Sequence, residues 1–109
     1  MAWLTRSSEV LATVVAWDEA PWASLEGALL CEGPALVHSF RSRGELDVAW
    51  CRRVEGQLEV VRTATLAARR VARPSFGPVL AATGGAFERW RLQAGDVLEV
   101  QGPLEDKGS

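Results

Sequence analysis

ELDVAWCRRVEGQLEVVRTATL, residues 45–66, is the stretch that decides the fold. Its first half alternates. Leu46, Val48 and Trp50 fall on one face and Asp47, Ala49 and Cys51 on the other, the period of two that belongs to an extended strand. Val54-Glu55-Gly56-Gln57 reads as a tight turn, and the run from Leu58 to Leu66 returns as the partner strand. Together they make the strongest hairpin signal in the chain.

Outward from the hairpin the pattern stays short and β-rich. EVLATVVAW (9–17) is apolar on both faces, as a buried strand is. DEAPWASLEG (18–27) is a loop with one helical turn after Pro21, and ALLCEGPALVHSF (28–40) is two short strands broken at Glu32-Gly33-Pro34. Downstream, AARRVARPSFGP (67–78) is a basic connection held open by Pro74 and Pro78, and VLAA (79–82) is a short strand. TGGAFERWRLQAG (83–95) reads as a helix capped by Thr83 or Gly84 and ended by Gly95, with Phe87 and Trp90 sharing its inner face. DVLEV (96–100) is the last strand. The segment before residue 9 is read as irregular. The expected fold is therefore α+β and β-rich: a compact, six- to seven-stranded, partly closed barrel-like sheet with one short helix in the C-terminal half, closure being what hides strand edges. Residues 1–102 are expected to form a single domain, and 103–109 a polar, disordered tail.

Composition bounds the function. At 109 residues, 48 % hydrophobic and 24 % charged, the chain matches an ordinary globular domain able to build a core without disulfides or metal. No apolar run reaches the roughly 18 residues of a membrane helix, and MAWLTRSSEVLATVV lacks the basic-then-apolar order of a signal peptide. A cytoplasmic location is expected, with Cys31 and Cys51 reduced. Eleven arginines stand against one lysine, and charge is uneven: net −4 over 1–37, +4 over 38–73 and −2 over 74–109.

The only histidine, His38, lies near Ser39, Arg43, Asp47 and Cys51. A nucleophilic site needs nucleophile, base and orienting group within reach of one another. A strand through 35–40 would put Ser39 and His38 on opposite faces, so a hydrolytic triad is not supplied. The simpler reading has His38 and Asp47 satisfying backbone groups beside the strand entry. One histidine and two distant cysteines do not make a metal site, and no glycine-rich nucleotide loop is present; neither metal nor cofactor is expected. The arginines of the middle third, including Arg69, Arg70 and Arg73, suit oxyanions. A pI near 5.4 argues against nucleic acid. Of the five tryptophans, Trp17, Trp50 and Trp90 read as core, and Trp3 and Trp22 as candidates for a contact surface. Gly95 and Asp96 read as a structural turn into the last strand.

Three stretches in order, VHSFRSRGELDVAW (37–50), the hairpin running to RTATLAARRVARP (62–74), and VLAATGGAFERWRLQAGDVLEV (79–100), resemble the domain of unknown function 192 family. The resemblance covers most of residues 9–100. It implies a small bacterial or archaeal single-domain protein of mixed α and β structure with no established activity, some members being exported or encoded near pilus or secretion assembly genes. By position, the family's polar motif falls on His38, Ser39, Phe40 and Arg43, its strand-entry aspartate on Asp47, and its late turn on Gly85, Gly95 and Asp96. The chain departs from the family in the shortened 18–27 segment and in Ala81, where the family carries glutamate.

The leading expectation is a non-enzymatic binding or accessory module with an unidentified protein partner. The alternative is a small-ligand binder or enzyme using a polar pocket around His38, Ser39, Arg43 and Asp47. A weaker alternative is an anion or RNA face on the arginines.

Overall fold

The computed structural model describes residues 2–17, 27–33, 44–72, 74 and 76–102. Within them the chain forms β1 (Ala2–Arg6), β2 (Glu9–Ala16), β3 (Ala28–Cys31), β4 (Leu46–Val54), β5 (Gln57–Leu66), β6 (Val79–Thr83), α1 (Ala86–Trp90) and β7 (Val97–Gln101). The strands close into a barrel in the order β1-β2-β3-β6-β4-β5-β7. Every neighbouring pair is antiparallel except β2 and β3, which run parallel. The β-rich barrel with one short helix is thus the architecture expected from the sequence.

Closure of so few strands requires strong curvature, and two bulges supply it. Leu11 is an extra residue in β2, where pairing steps from Leu4↔Ala12 to Thr5↔Val10. Val61 is an extra residue in β5, where it steps from Trp50↔Arg62 to Cys51↔Val60.

The core has two layers. Leu4, Val14, Leu30, Ala49, Cys51, Leu58, Val60, Leu80, Ala82 and Leu98 fill the barrel interior, closed over by Ala86, Phe87 and Leu92 from α1 and the turn after it. The alternate residues Leu29, Leu46, Val48, Val79 and Ala81 form a second layer outside the barrel wall, covered by Trp17, Trp50, Leu66 and Ala72. The strands β3, β4 and β6 are therefore buried on both faces, which explains their nearly unbroken apolar runs.

Two sequence expectations are corrected. Residues 2–6 are not irregular: Ser7 and Ser8 take left-handed backbone angles that turn β1 directly into β2, and Trp3 stands on the barrel wall, 41 % exposed. The helix does not span 83–95 but only Ala86–Trp90. Thr83 and Gly84 still belong to the ladder with β4, the Gly84 N–H donating to the Glu45 carbonyl at 2.9 Å, so neither can cap a helix. Arg91 then takes a left-handed conformation (φ 54°), ending the helix and swinging Leu92 into the interior. The strand expected at 35–40 lies outside the described residues.

Candidate functional site

Asp47 sits one residue into β4, on the same strand face as Ala49 and Cys51, and that alternation aims its carboxylate at the mouth of the barrel interior. It is 3 % exposed, one of two buried polar residues among those described. A buried carboxylate has to be supplied with donors, and three converge here. Oδ2 accepts from the backbone N–H of Gly85 at 3.0 Å and of Phe87 at 3.1 Å. Oδ1 accepts from the Thr65 hydroxyl, directly across the hairpin, at 2.7 Å.

These bonds cap the helix from another strand. Gly85 is the N-cap residue at φ 95°, a left-handed angle that glycine adopts without penalty, and it has no side chain with which to cap. Asp47 supplies the missing acceptor from 38 residues upstream. The opposite end of α1 is held by Arg6 of β1, which donates to the Trp90 carbonyl at 2.7 Å and the Arg91 carbonyl at 3.2 Å. Arg6 also pairs with Asp96 at 3.0 Å, and Asp96 in turn accepts from the Gln93 N–H at 3.0 Å. A carboxylate at the N-terminus and a guanidinium at the C-terminus both match the sign of the backbone partial charges they meet. Gly95, at φ 97°, completes the turn, its N–H donating to the Val60 carbonyl at 2.8 Å.

Beside this latch opens a cleft of about 420 Å³ lined by Glu45, Asp47, Thr63, Ala64, Thr65, Gly85, Phe87 and Glu88. Among the described residues three carboxylates line it and no cationic side chain does. Thr63, Thr65, Glu45 and Glu88 were not singled out from the sequence. Two threonines at i, i+2 mark one face of a strand, which was legible. That the start of α1 lies opposite them was not.

Of the other candidate residues, His38, Ser39, Arg43, Trp22 and Arg73 lie outside the described residues. Arg69 and Arg70 are exposed on the 67–72 connection, and Trp3 is on β1. Middle-third arginines engage partners within the chain: Arg52 pairs with Glu59, Arg53 with Glu32 of the acidic first third, and the Arg62 guanidinium lies 6.0 Å from the centre of the Trp50 ring. Ala81 belongs to the outer layer, and the residue that faces Asp47 from β6 is Ala82. A glutamate at position 81 of this chain would therefore not point toward Asp47.

Cys51 is buried in the barrel interior, and burial pushes its thiol up to about 12 from 9.0, against smaller lowering effects from the Leu80 backbone and Arg53. It is a packed apolar group and not a nucleophile. Among the described residues no cluster of three or more His, Cys, Asp or Glu side chains is placed to hold a metal ion, and no helix is long and apolar enough to cross a membrane. No family model matches the chain, and neither a curated protein nor a solved structure matches it.

Proposed function

We propose that the protein is a non-enzymatic binding module whose site is the acidic cleft at the barrel mouth, and that it takes a positively charged group there. The observation that carries this reading is the state of Asp47. Its carboxylate already accepts three hydrogen bonds, from Gly85, Phe87 and Thr65, so it serves as a fixed structural acceptor. A general acid or base needs a proton position open toward a substrate. Glu45 and Glu88, both exposed at the rim of the cleft, are left as the groups that recognise charge.

The same reading places the chain in the domain of unknown function 192 family. Its support is that the two most specific parts of that resemblance, the LDVAW strand entry and the late GAFERW turn, are the two halves of the Asp47 latch.

The test is a titration with agmatine, a small guanidinium and amine probe, followed by backbone amide NMR shifts. Saturable shifts at Glu45, Gly85 and Glu88, lost in Glu45→Gln/Glu88→Gln, are expected. An unchanged spectrum up to about 20 mM agmatine, beyond the millimolar range of weak specific binding, removes the reading.

A further inference from the structure

Among the described residues, β7 covers only part of β5. β5 spans ten residues, yet β7 pairs with it only at Leu58 and Glu59, and the 95–96 turn adds bonds at Val60. Residues 61–66 run on beyond that partner.

Hydrogen-bond alternation says which main-chain groups are left over. The Gly84 N–H donates to the Glu45 carbonyl and the Cys51 N–H to the Pro78 carbonyl, both at 2.9 Å, so odd-numbered residues of β4 face β6. Even-numbered residues of β4 consequently face β5. Through the pairs Leu46↔Leu66, Val48↔Ala64 and Trp50↔Arg62, it is Leu66, Ala64 and Arg62 that bond back to β4. Thr63 and Thr65, which line the cleft, turn their N–H and C=O groups the other way, toward the side of β5 that β7 leaves uncovered. Among the described residues nothing donates to or accepts from these four groups.

Natural sheets guard a free edge with proline, lysine or an inward-pointing charge. The segment Val61–Leu66 has none of these; its one charge, Arg62, lies against Trp50.

Building on the reading of the cleft as a binding site, we propose that the partner is an extended peptide segment that adds as a strand to the β5 edge at Thr63 and Thr65, with a basic side chain directed at Glu45 and Glu88. Strand addition takes affinity from main-chain bonds and selectivity from alternate side chains. Thr63 and Thr65 offer two donors and two acceptors in ladder spacing. The opposite wall, made by Gly85, Phe87 and Glu88, leaves the edge open as a slot, and the carboxylate lining selects positive charge.

The experiment compares two acetylated, amidated pentapeptides, Thr-Lys-Val-Lys-Thr and the same sequence N-methylated at the amides that would meet Thr63 and Thr65. Their charge is identical, and only the first can form the ladder. Expected are slowed hydrogen exchange at the Thr63 and Thr65 amides with the first peptide, and affinity weaker by at least about tenfold for the second, as loss of main-chain bonds dictates. Thr63→Pro, which removes an N–H not used by β4, is expected to abolish binding. Equal binding of the two peptides overturns strand addition and leaves the cation-binding reading standing. Failure of both peptides while agmatine binds does the same. Failure of agmatine and of both peptides removes both readings.

Discussion

Truncating Asp47 isolates the contact on which the barrel mouth depends. Asp47→Ala removes the acceptor of two backbone amides and one hydroxyl. The three losses are unequal, because what matters is whether water can replace the carboxylate. The Phe87 amide is buried, and stranding it costs about 2–3 kcal/mol, in the range for a charge-assisted bond. The Gly85 amide is partly open and loses about 1 kcal/mol, and the exposed Thr65 hydroxyl rehydrates at little cost. The sum is about 3–4 kcal/mol, or a fall in Tm of about 12–16 °C for a domain of this length. Asp47→Asn keeps one carbonyl oxygen toward both amides, lets the Thr65 hydroxyl accept instead of donate, and loses only the charge; it is expected to cost about 1–2 kcal/mol. Urea unfolding followed by tryptophan fluorescence measures both, with an unchanged denaturant slope showing that the barrel is otherwise intact. Hydrogen exchange should report loss of protection at Phe87 in the alanine variant. An alanine variant within about 0.5 kcal/mol of the parent, the range of an inert surface change, with Phe87 still protected, would refute the latch.

Arg6→Ala removes the clamp on the other end of α1 and is expected to cost about 1.5–3 kcal/mol, with Arg6→Lys recovering part of it, because an ammonium cannot reach both carbonyls and Asp96 in fork geometry; chemical denaturation of the two variants decides this. Gly84→Ala places a methyl 2.7 Å from the Glu45 Cβ, so the β4–β6 ladder end must open, and a stability loss above about 1 kcal/mol is expected, with shifted amides at Glu45 and Gly84. Cys51 gives a pH dependence with a definite sign. Its thiol ionises near 9.0 when unfolded and near 12 when folded, so its contribution is whole below about pH 9 and is lost progressively up to about pH 12 as only the unfolded chain gives up the proton. Cys51→Ala should flatten the fall in stability over that window. A disulfide reagent at neutral pH should label the half-buried Cys31 in the native protein and reach Cys51 only after denaturation.

The strands were legible where local pattern and burial agree. The hairpin 45–66 reads correctly because both its strands and its turn are local. β1 was missed because Ala2–Arg6 mixes Trp3, Thr5 and Arg6 with its two core residues and so shows no clean alternation, and only pairing with β2 and β7 makes it a strand. The helix was overdrawn for the same kind of reason: Thr83 and Gly84 look like caps, but tertiary pairing to β4 claims them first. At the site, Asp47 stood out as the polar position in an apolar strand. Its donors could not be read off, since Gly85 and Phe87 lie about forty residues away and offer backbone groups, which leave no mark in residue identity. The stretch of β5 past Val60 that β7 leaves uncovered was equally hidden, because it depends on where β7 stops.

The seam between β1 and β7 has a consequence for how the molecule is made. Thr5 and Glu99, which meet there, are 94 residues apart, and Trp3 pairs with Gln101. On a ribosome the first strand emerges long before the strand that completes its wall. Until β7 is released, β1 has β2 as its one neighbour and its other edge stays unpaired. Closure of the barrel thus waits for β7 and is not an early nucleus, and so large a sequence separation places the chain among slow folders for its size.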